Sequence, residues 1–358
     1  MHTDVSRICL DAARSIQEAV AVMDASRLGI VLVVDGDRRL LGTMTDGDVR
    51  RALLARMDLR QPVSALLASK ASTRFATPLT ARIGGDPAEH LELLRAKRLT
   101  HLPLLDEAGR VAGLVRLDDF VPEHAEPVQA VVMAGGQGSR LYPLTKDTPK
   151  PMLKVGDRPL LEIIIGQLRE AGITQVTVST HHQAEKITTH FGDGKEFGVQ
   201  LSYLAEAQPL GTVGGLGRLQ RPSDTTLVIN GDVLTQVDFR AMLAFHREHQ
   251  AVLTVAVRQY DVQVPFGVLE CDGPVVRRLN EKPVFGFFVN AGIYVLEPAV
   301  YDFIPPAERL DMTELIQRLL DAGKRVVSFP VREYWLDIGE QDAYQQAQDD
   351  AKQLSATE

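Results

Sequence analysis

A single stretch decides how most of this chain folds, and it reads Ala130-Val131-Val132-Met133-Ala134-Gly135-Gly136-Gln137-Gly138-Ser139-Arg140-Leu141. A short apolar run with strand character leads into a loop that holds three glycines and an arginine. Glycines allow backbone N–H groups to converge on an anion, because no Cβ atom stands in the way. Arg140, and Lys150 between two prolines, can add charged donors to phosphate oxygens. The stretch therefore predicts a phosphate-binding loop, with a plain tight turn as the alternative.

The spacing of the glycines excludes two common nucleotide-binding motifs. The sequence contains no G-x-x-x-x-G-K-[ST] pattern, so it has no P-loop. Reading from Gly136, Leu141 stands where the dinucleotide fingerprint needs its third glycine. A nicotinamide-dependent oxidoreductase is disfavoured for that reason.

Length, charge and cysteine content restrict the class of protein further. A chain of 358 residues can form two or three domains with sizeable cores. The formal net charge of −8, without a run of basic residues, argues against nucleic acid as a partner. Cys9 and Cys271 are too few for a disulfide framework or a zinc site. With no signal pattern and no apolar run near the ~20 residues of a membrane span, we expect a cytoplasmic protein that does not enter a membrane.

Residues 5–122 contain an internal repeat with an offset of 71 residues. Several residues recur at this distance, in the pairs Asp35 and Asp106, Gly42 and Gly113, and Asp48 and Asp119. Each copy reads as a helix, a strand, an aspartate-rich turn, a second strand and a helix opened by acidic residues. One copy is too short to bury enough apolar surface alone, so we expect the two copies to pack together.

Two blocks of the repeat resemble CBS domains (cystathionine-β-synthase-type domains): Gly42-Thr43-Met44-Thr45-Asp46-Gly47-Asp48-Val49 and Gly113-Leu114-Val115-Arg116-Leu117-Asp118-Asp119-Phe120. The resemblance implies that Thr45 and Asp48, and Asp119 in the second copy, contact a regulatory nucleotide. Arg116 stands where threonine is usual, which leaves binding at the second copy open. Two alternatives are that both aspartates are helix N-caps and that the module serves dimerisation.

The domain boundaries follow from this repeat. We predict an α+β tandem CBS module at residues 1–122, with copies at about 1–60 and 61–122, and a linker at 123–127 that is polar between two prolines. Residues 128–358 form the second domain. There, strands alternate with helices, as in an α/β doubly wound sheet. The predicted elements include helices Leu160–Ala171, Phe239–His249 and Met312–Ala322 and strands Ile173–Ser179, Val199–Leu204, Leu227–Ile229, Val252–Arg258 and Phe288–Val295.

Two aspartates stand in apolar surroundings in this second domain. Asp232 follows the run Leu227–Ile229 almost directly, and Asp337 lies between Leu336 and Ile338. A carboxylate among apolar residues is costly unless it is paired or bound to a cation. Two carboxylates, completed by substrate phosphates and water, suit Mg²⁺. Both residues are therefore candidate magnesium ligands, although a turn aspartate is the alternative for Asp232.

A second glycine-rich loop follows another predicted strand, and it reads Glu206-Ala207-Gln208-Pro209-Leu210-Gly211-Thr212-Val213-Gly214-Gly215. In a doubly wound sheet, ligands bind outside the carboxyl ends of the strands. Two glycine-rich loops at one sheet edge favour a nucleotide cleft over two unrelated turns.

In combination, these motifs resemble those of the sugar-1-phosphate nucleotidyltransferases. The resemblance spans residues 128–348 and rests on Gly135-Gly136-Gln137-Gly138-Ser139-Arg140-Leu141, Pro149-Lys150-Pro151-Met152, Pro209-Leu210-Gly211-Thr212, Asn230-Gly231-Asp232, Glu281-Lys282-Pro283, Asn290-Ala291-Gly292 and Trp335-Leu336-Asp337-Ile338-Gly339. It implies a Rossmann-like doubly wound mixed sheet. It also implies attack by a sugar-1-phosphate on the α-phosphorus of a nucleoside triphosphate, with release of pyrophosphate.

The resemblance further implies a role for each matched position. Arg140, Lys150, Asp232 and Asp337 would be the catalytic residues, and the two aspartates would hold Mg²⁺. The nucleotide would contact Ala134, Gly135, Gly136, Gly138, Ser139, Glu206, Pro209, Leu210, Gly211 and Thr212. The sugar phosphate would contact Gly214, Glu281, Lys282 and Asn290.

Among these enzymes, a transferase domain with a fused CBS pair most resembles the glucosamine-1-phosphate guanylyltransferases, which supply GDP-linked sugars toward legionaminic acid. The heptose-1-phosphate guanylyltransferases are close behind. We therefore expect GTP as substrate and a homo-oligomer as the assembly. Thymidylyl, uridylyl and cytidylyl transfer are the alternatives. A further alternative, of another class, is a nucleotide-sensing scaffold with an inactive transferase domain.

Overall fold

The computed structural model describes residues 2, 4–71, 73, 76–97, 99–120, 128–136, 138–206, 208, 210–306 and 308–355, with the backbone alone for residues 118 and 353–355. The predicted linker at 123–127 lies outside the described residues, as does Pro209. The chain divides into two compact units, residues 1–124 and 125–358, and each is described by itself.

The N-terminal unit repeats one small α+β arrangement. Its elements are β1 (Cys9–Asp11), α1 (Ile16–Ser26), β2 (Ile30–Val34), β3 (Leu40–Thr45), α2 (Asp46–Leu54), α3 (Val63–Ser69), β4 (Ala81–Arg82), α4 (Pro87–Lys97), β5 (His101–Leu105) and β6 (Val111–Arg116). The strands form two three-stranded sheets in the orders β1-β2-β3 and β4-β5-β6. In each sheet the first pair is parallel and the second antiparallel.

The two copies agree in local detail, as the 71-residue offset predicts. The Oδ1 atom of Asp35 accepts a hydrogen bond from the N–H of Arg39 at 2.8 Å, and Asp106 does the same for Arg110 at 2.8 Å. Both hairpins shift register just before the turn, between Val33 and Val34 and between Leu104 and Leu105. Because an Asx turn of this kind sets the hairpin, the same sequence signal gives the same turn twice.

The copies also share apolar surface, which confirms that they pack together. One core cluster contains β2 residues of the first copy and β6 residues of the second: Ile30, Leu32, Val34, Val111 and Leu114. An isolated bridge between Arg39 and Arg110 joins the two hairpin turns. Each copy therefore buries apolar surface of the other copy.

The C-terminal unit is built on a seven-stranded mixed sheet. The elements are β7 (Gln129–Met133), β8 (Lys154–Val155), β9 (Arg158–Pro159), α5 (Leu160–Glu170), β10 (Gln175–Thr180), α6 (Ala184–Phe191), β11 (Gln200–Ala205), α7 (Gly211–Gly214), β12 (Thr226–Asn230), β13 (Val233–Thr235), α8 (Phe239–Glu248), β14 (Leu253–Gln263), β15 (Val268–Asp272), β16 (Val275–Asn280), β17 (Val284–Leu296), α9 (Met312–Asp321), β18 (Val326–Pro330), β19 (Trp335–Asp337) and α10 (Gln341–Ser355).

The sheet order is β11-β10-β7-β12-β17-β14-β18, and β17 runs against the other six strands. Helices cover both faces. One core lies under α5, α6 and α8, and the other lies under α7 and α9. Strands buried on both sides read as continuous apolar runs, which is how β7 and β12 appear in the sequence. The predicted doubly wound mixed fold is confirmed.

The chain leaves β7 for β10 on one side and later returns to place β12 on the other side of β7. Such a reversal of strand order opens a crevice at the carboxyl ends of the two strands. The loop Gly135–Arg140 follows β7, and Asp232 follows β12. The fold therefore brings the first glycine-rich loop and the first predicted aspartate to the same crevice.

Candidate functional site

The carboxyl ends of β7 and β12 approach each other closely. Met133 pairs with Asn230, and the N–H of Gly231 donates to the carbonyl oxygen of Met133 at 2.9 Å. A Cβ atom on Gly231 would lie 2.9 Å from that same oxygen, so a larger residue would push the strand ends apart. Gly231 is therefore the residue that lets Asp232 stand beside the first glycine-rich loop.

The first glycine-rich loop is held at its ends and open at its centre. Buried Ala134 donates its N–H to the carbonyl of Ser179 at 2.9 Å. Gly138 has φ of +64°, and the Thr145 hydroxyl donates to its carbonyl at 2.8 Å. A Cβ atom on Gly136 would meet no described residue within 4 Å, and Ser139 is exposed. The described residues therefore leave Gly136 accessible, while Gln137 lies outside them.

Lys150 and Asp232 form a close ion pair, with 2.5 Å between Nζ and Oδ2. Lys150 is 8% exposed, although it lies only ten residues beyond the exposed Arg140. A buried ammonium needs a partner because desolvation of an unpaired charge is costly. The pair ties the segment after the glycine-rich loop to the end of β12.

Asp337 reaches the same place through a short antiparallel pair. β13 pairs with β19, which sets Asp337 opposite Val233, and the N–H of Ile338 donates to the Asp232 carbonyl at 2.9 Å. Partial burial and the neighbouring Asp232 charge raise the pKa of Asp337, while Lys150 and Arg140 oppose that shift. The two carboxylates are therefore close enough to repel one another.

Arg140 completes the cluster from the exposed side. A Cβ atom on Gly339 would lie 3.6 Å from Nη1 of Arg140 and 3.4 Å from Oδ1 of Asp337, so Gly339 separates the two side chains narrowly. Nη1 of Arg140 also lies 3.9 Å from Oε1 of Glu340. Both side chains of that pair are well exposed, so the guanidinium can turn toward a bound anion at little cost.

The structure thus brings together all four predicted catalytic residues: Arg140, Lys150, Asp232 and Asp337. Within the described part of the chain, no group of three or more His, Cys, Asp or Glu side chains could hold a metal ion by itself. The donor set fits a hard cation that takes most of its ligands from substrate and water, as Mg²⁺ does. The mutual repulsion of Asp232 and Asp337 is what such a cation would relieve.

The second glycine-rich loop is braced by Glu206 from within the protein. Glu206 is buried, its Oε1 accepts from the Ser179 hydroxyl, and its Oε2 accepts from the N–H of Leu210 at 3.0 Å. Both carboxylate oxygens therefore have protein donors. This geometry lets Glu206 hold the loop, because a buried carboxylate is most stable when hydrogen-bonded. The contact of Glu206 with the nucleotide stays a prediction.

Gly211 and Gly214 pack against backbone rather than facing open space. Gly211 has φ of +82°, and a Cβ atom there would lie 2.5 Å from the carbonyl oxygen of Leu310. A Cβ atom on Gly214 would lie 2.4 Å from that of Glu308. The Thr212 hydroxyl accepts from the N–H of Met312 at 2.7 Å and so caps α9. Residues 308–310 fill the space beside the Cα atom of Gly214, and its contact with the sugar phosphate stays a prediction.

The three other residues predicted for the sugar phosphate lie along an exposed extension of the sheet. Glu281 and Lys282 are exposed in the connection from β16 to β17. Asn290 lies further along β17 and accepts from the N–H of Gly292 at 3.0 Å. The Asn290 side chain also hydrogen-bonds the hydroxyl of Tyr294, whose pKa burial raises to about 12, with a further contribution from the Asp232 charge.

Tyr294, Thr145 and Asn230 are site residues that the motif analysis did not single out. Tyr294 links Asn290 to the surroundings of Asp232, and Thr145 fixes Gly138. The Oδ1 atom of Asn230 is buried and has no hydrogen-bond partner among the described residues. Asn230 falls within a motif already quoted, so a polar residue at the end of an apolar strand was the available signal for it. Tyr294 lies within the predicted strand Phe288–Val295, where no motif marked it.

In the N-terminal unit, the predicted nucleotide ligand Asp48 is enclosed by protein partners. It is 4% exposed and lies 2.9 Å from Nζ of Lys70 and 2.8 Å from Nη2 of Arg51. It also accepts from the N–H and hydroxyl of Thr45, at 2.9 and 3.0 Å. The Asp48 carboxylate is therefore engaged by protein partners in this structure, and its contact with a regulatory nucleotide stays a prediction.

The alternative that Asp48 and Asp119 are N-cap residues is wrong about their position, although both do stabilise the start of a helical turn. Thr45 is the N-cap of α2, and Asp48 sits three residues on, as the second member of a capping box. Asp119 lies at the equivalent place and accepts from the N–H of Arg116 at 2.9 Å. Both aspartates therefore stabilise the turn that follows the second strand of their copy.

Comparison with known proteins agrees with this architecture. The family described as nucleotidyl transferase matches residues 129–353, so the chain belongs to that family. The CBS domain family matches residues 1–55. A solved structure from Bacillus anthracis, assigned as a glucose-1-phosphate thymidylyltransferase and crystallised with sucrose, aligns with a TM-score of 0.53 and 26% identity. It covers 63% of this chain and 95% of its own.

Curated relatives carry different substrate names. A UTP–glucose-1-phosphate uridylyltransferase from Synechocystis is 32% identical over 62% of this chain and 62% of its own length. A mannose-1-phosphate guanylyltransferase from Mycobacterium tuberculosis is 34% identical over 59% of this chain and 61% of its own length. This chain thus spans about three fifths of the length of the curated relatives it matches. In the described residues, no helix is long and apolar enough to cross a membrane.

The enclosed Asp48 leads to a stability prediction. Burial opposes its charge, but Lys70, Thr45 and Arg51 outweigh burial and lower the pKa of Asp48. Asp48→Asn would leave Lys70 buried without its counter-charge, so we expect a loss of about 3–5 kcal/mol in the opening free energy of the N-terminal unit. Hydrogen exchange of β2 and β3 amides in the full chain measures this quantity.

Because the pKa of Asp48 is lowered on folding, its contribution should persist from neutral pH to about pH 4 and fade below that as the carboxylate is protonated. Asp58→Asn, which removes an exposed partner of Arg60 in the same unit, is the matched control and should change little. Equal protection in Asp48→Asn and wild type would contradict the structural role.

Proposed function

We propose that this chain is a sugar-1-phosphate nucleotidyltransferase. The observation that carries the proposal is the meeting of Arg140, Lys150, Asp232 and Asp337 beside an open glycine-rich loop at the crevice between β7 and β12. Paired acidic and basic groups of this kind suit phosphoryl chemistry, in which charge accumulates on phosphate oxygens. A non-catalytic scaffold would have no need to keep a close Lys–Asp pair and two repelling carboxylates at one crevice.

The residues of this chain would act by positioning and charge stabilisation. The N–H groups around Gly136 would hold the triphosphate, and the exposed guanidinium of Arg140 would contact the departing pyrophosphate. Lys150 would neutralise the α-phosphate from its buried position. Asp232 and Asp337 would hold Mg²⁺, which supplies further charge stabilisation at the α-phosphate when bound. The attacking sugar phosphate is already an anion, so no general base is required.

The substrate proposal is narrower than the reaction proposal. We propose GTP and glucosamine-1-phosphate as the pair, which would give a GDP-linked hexosamine toward legionaminic acid. The guanylyltransferase named above supports the choice of base, whereas the uridylyltransferase favours the alternative. Glu281, Lys282 and Asn290 would contact the sugar phosphate, from the exposed extension that reaches the crevice at Tyr294.

Pyrophosphate release tests reaction and base together. We expect release when the protein is incubated with Mg²⁺, glucosamine-1-phosphate and GTP, and much weaker release with dTTP, UTP, CTP or ATP. Preference for a different triphosphate would contradict the choice of GTP but would still support the nucleotidyl transfer reaction. No release with any triphosphate and with glucose-, mannose- or heptose-1-phosphate would contradict the transferase proposal.

Asp232→Asn tests the site itself. Because it removes one of two carboxylates and the partner of Lys150, we expect kcat to fall by at least ~10²-fold. Asp302→Asn is the matched control, since it removes an exposed acid paired with Arg221 away from the crevice. Turnover of Asp232→Asn within a few-fold of wild type, with an unchanged thermal midpoint, would rule out the proposed role.

A regulatory nucleotide on the CBS domain is a separate proposal. Asp48 is enclosed, so the more exposed of the two predicted aspartates is Asp119, whose side chain is 20% exposed and lies 3.7 Å from Nε2 of His2. Calorimetric titration of the full chain with AMP and ATP, without sugar phosphate, would detect such binding. Binding that Asp119→Asn weakens supports the proposal, and absence of heat with both nucleotides rejects it.

A further inference from the structure

The carboxyl end of β10 lies between the two glycine-rich loops. In the sheet, β10 has β7 on one side and β11 on the other. The first glycine-rich loop follows β7, and the second begins at Glu206, directly after β11. Ser179, Thr180 and His181, which are consecutive at the end of β10, together contact both loops.

The contacts with the first loop lie at its entrance. The carbonyl oxygen of Ser179 accepts from the N–H of Ala134 at 2.9 Å. A Cβ atom on Gly135 would lie 3.4 Å from the Cβ atom of His181, which is ordinary van der Waals contact. The imidazole of His181 therefore begins directly beside the backbone of this loop.

The contacts with the second loop all converge on Glu206. Its N–H donates to the carbonyl oxygen of Thr180 at 2.8 Å, and its carboxylate accepts from the Ser179 hydroxyl. Its carbonyl oxygen lies 2.7 Å from Nδ1 of His181. Because a carbonyl oxygen only accepts, Nδ1 carries the proton of this hydrogen bond. The end of β10 therefore holds both backbone groups of Glu206 and its side chain.

The imidazole donates to Glu206 just where the backbone ladder ends. The pairing of β10 with β11 stops at Thr180 and Ala205. Glu206 is 8% exposed, and a buried carbonyl oxygen without a donor costs about as much free energy as a lost hydrogen bond. His181 supplies from its side chain the donor that the ladder no longer provides. An apolar residue at position 181 would leave that oxygen without this donor.

We propose that His181 is a positioning residue for the nucleoside triphosphate, because it fixes the second glycine-rich loop relative to the first. The inference rests on the proposed function, in which residues of both loops bind one nucleotide. His181 acts through Glu206 and the neighbouring backbone of Gly135, and the role requires no contact between the imidazole and the nucleotide.

The position of His181 in the sheet indicates which substrate it affects. β10 and β17 lie on opposite sides of β7. The residues proposed for the sugar phosphate lie on β17 or in the connection that leads to it: Glu281, Lys282 and Asn290. A change at His181 should therefore weaken binding of the nucleotide and spare binding of the sugar phosphate.

The test compares two replacements of His181. His181→Asn keeps an amide donor near the position of Nδ1, whereas His181→Leu keeps an apolar side chain and loses the donor. KM for GTP, KM for glucosamine-1-phosphate and kcat are measured from pyrophosphate release with Mg²⁺. If wild type prefers another triphosphate or sugar phosphate, that compound is used instead.

We expect His181→Leu to raise the KM for the triphosphate roughly fivefold to tenfold, the effect of one lost hydrogen bond. KM for the sugar phosphate and kcat should stay close to wild type, and His181→Asn should restore the KM for the triphosphate. His182→Leu is the matched control, because His182 is the exposed neighbour whose Nε2 lies 2.9 Å from Nε2 of Gln183.

Hydrogen exchange of the full chain without substrate gives a second measurement, which does not depend on the reaction. The amides of Glu206 and Leu210 donate to the Thr180 carbonyl and to the Glu206 carboxylate. His181→Leu should speed the exchange of both amides, and His181→Asn should leave it near wild type.

The outcomes separate this inference from the proposed function. If wild type releases pyrophosphate and His181→Leu has an unchanged KM for the triphosphate, the inference is overturned and the proposed function stands. A parallel loss in both KM values, kcat and the thermal midpoint would also overturn it, since that pattern reports general destabilisation. A wild type that is inactive with every triphosphate contradicts the proposed function and the inference that rests on it.

Discussion

The candidate site of the C-terminal unit depends on the ion pair between Lys150 and Asp232. It joins the segment that follows β7 to the end of β12, and it does so with an ammonium that is 8% exposed. Because an unpaired charge is costly to bury, the segment that follows β7 and the segment that follows β12 must lie next to each other. Gly231 makes that meeting possible, since a side chain there would strike the carbonyl of Met133. Asp337 and Arg140 then join a centre that is already in place.

A buried lysine–aspartate pair has a different role in the N-terminal unit. Lys70 and Asp48 also form a buried ion pair, but Thr45 and Arg51 complete the shell around the carboxylate. These charges stabilise the turn into α2. At the crevice of the C-terminal unit, Asp232 and Asp337 instead repel one another. The two ion pairs therefore differ in their surroundings, because Asp48 has cationic neighbours on both oxygens whereas Asp232 has a second carboxylate beside it.

Several elements could be read from the sequence because their signal is local. The 71-residue offset predicted two copies that agree down to the Asx turns at Asp35 and Asp106, and the apolar run Ala130–Met133 predicted the strand before the glycine-rich loop. β15 and β16 were not predicted, because their exposed apolar residues follow no burial pattern. His246 lies on α8 in the predicted helix Phe239–His249, and no local pattern showed that it would be 1% exposed and lie between Thr254 and Glu297.

By itself, the sequence determined the doubly wound fold, the repeat and the four residues that meet at the crevice, because strand patterns and turn-forming glycines act over a few residues. Tertiary structure alone decided the use of each polar group. Whether Asp48 is open or enclosed depends on Lys70, and whether Gly214 faces a ligand or a backbone depends on Glu308. Those partners lie 22 and 94 residues away, and no local pattern records a contact that only the folded chain brings about.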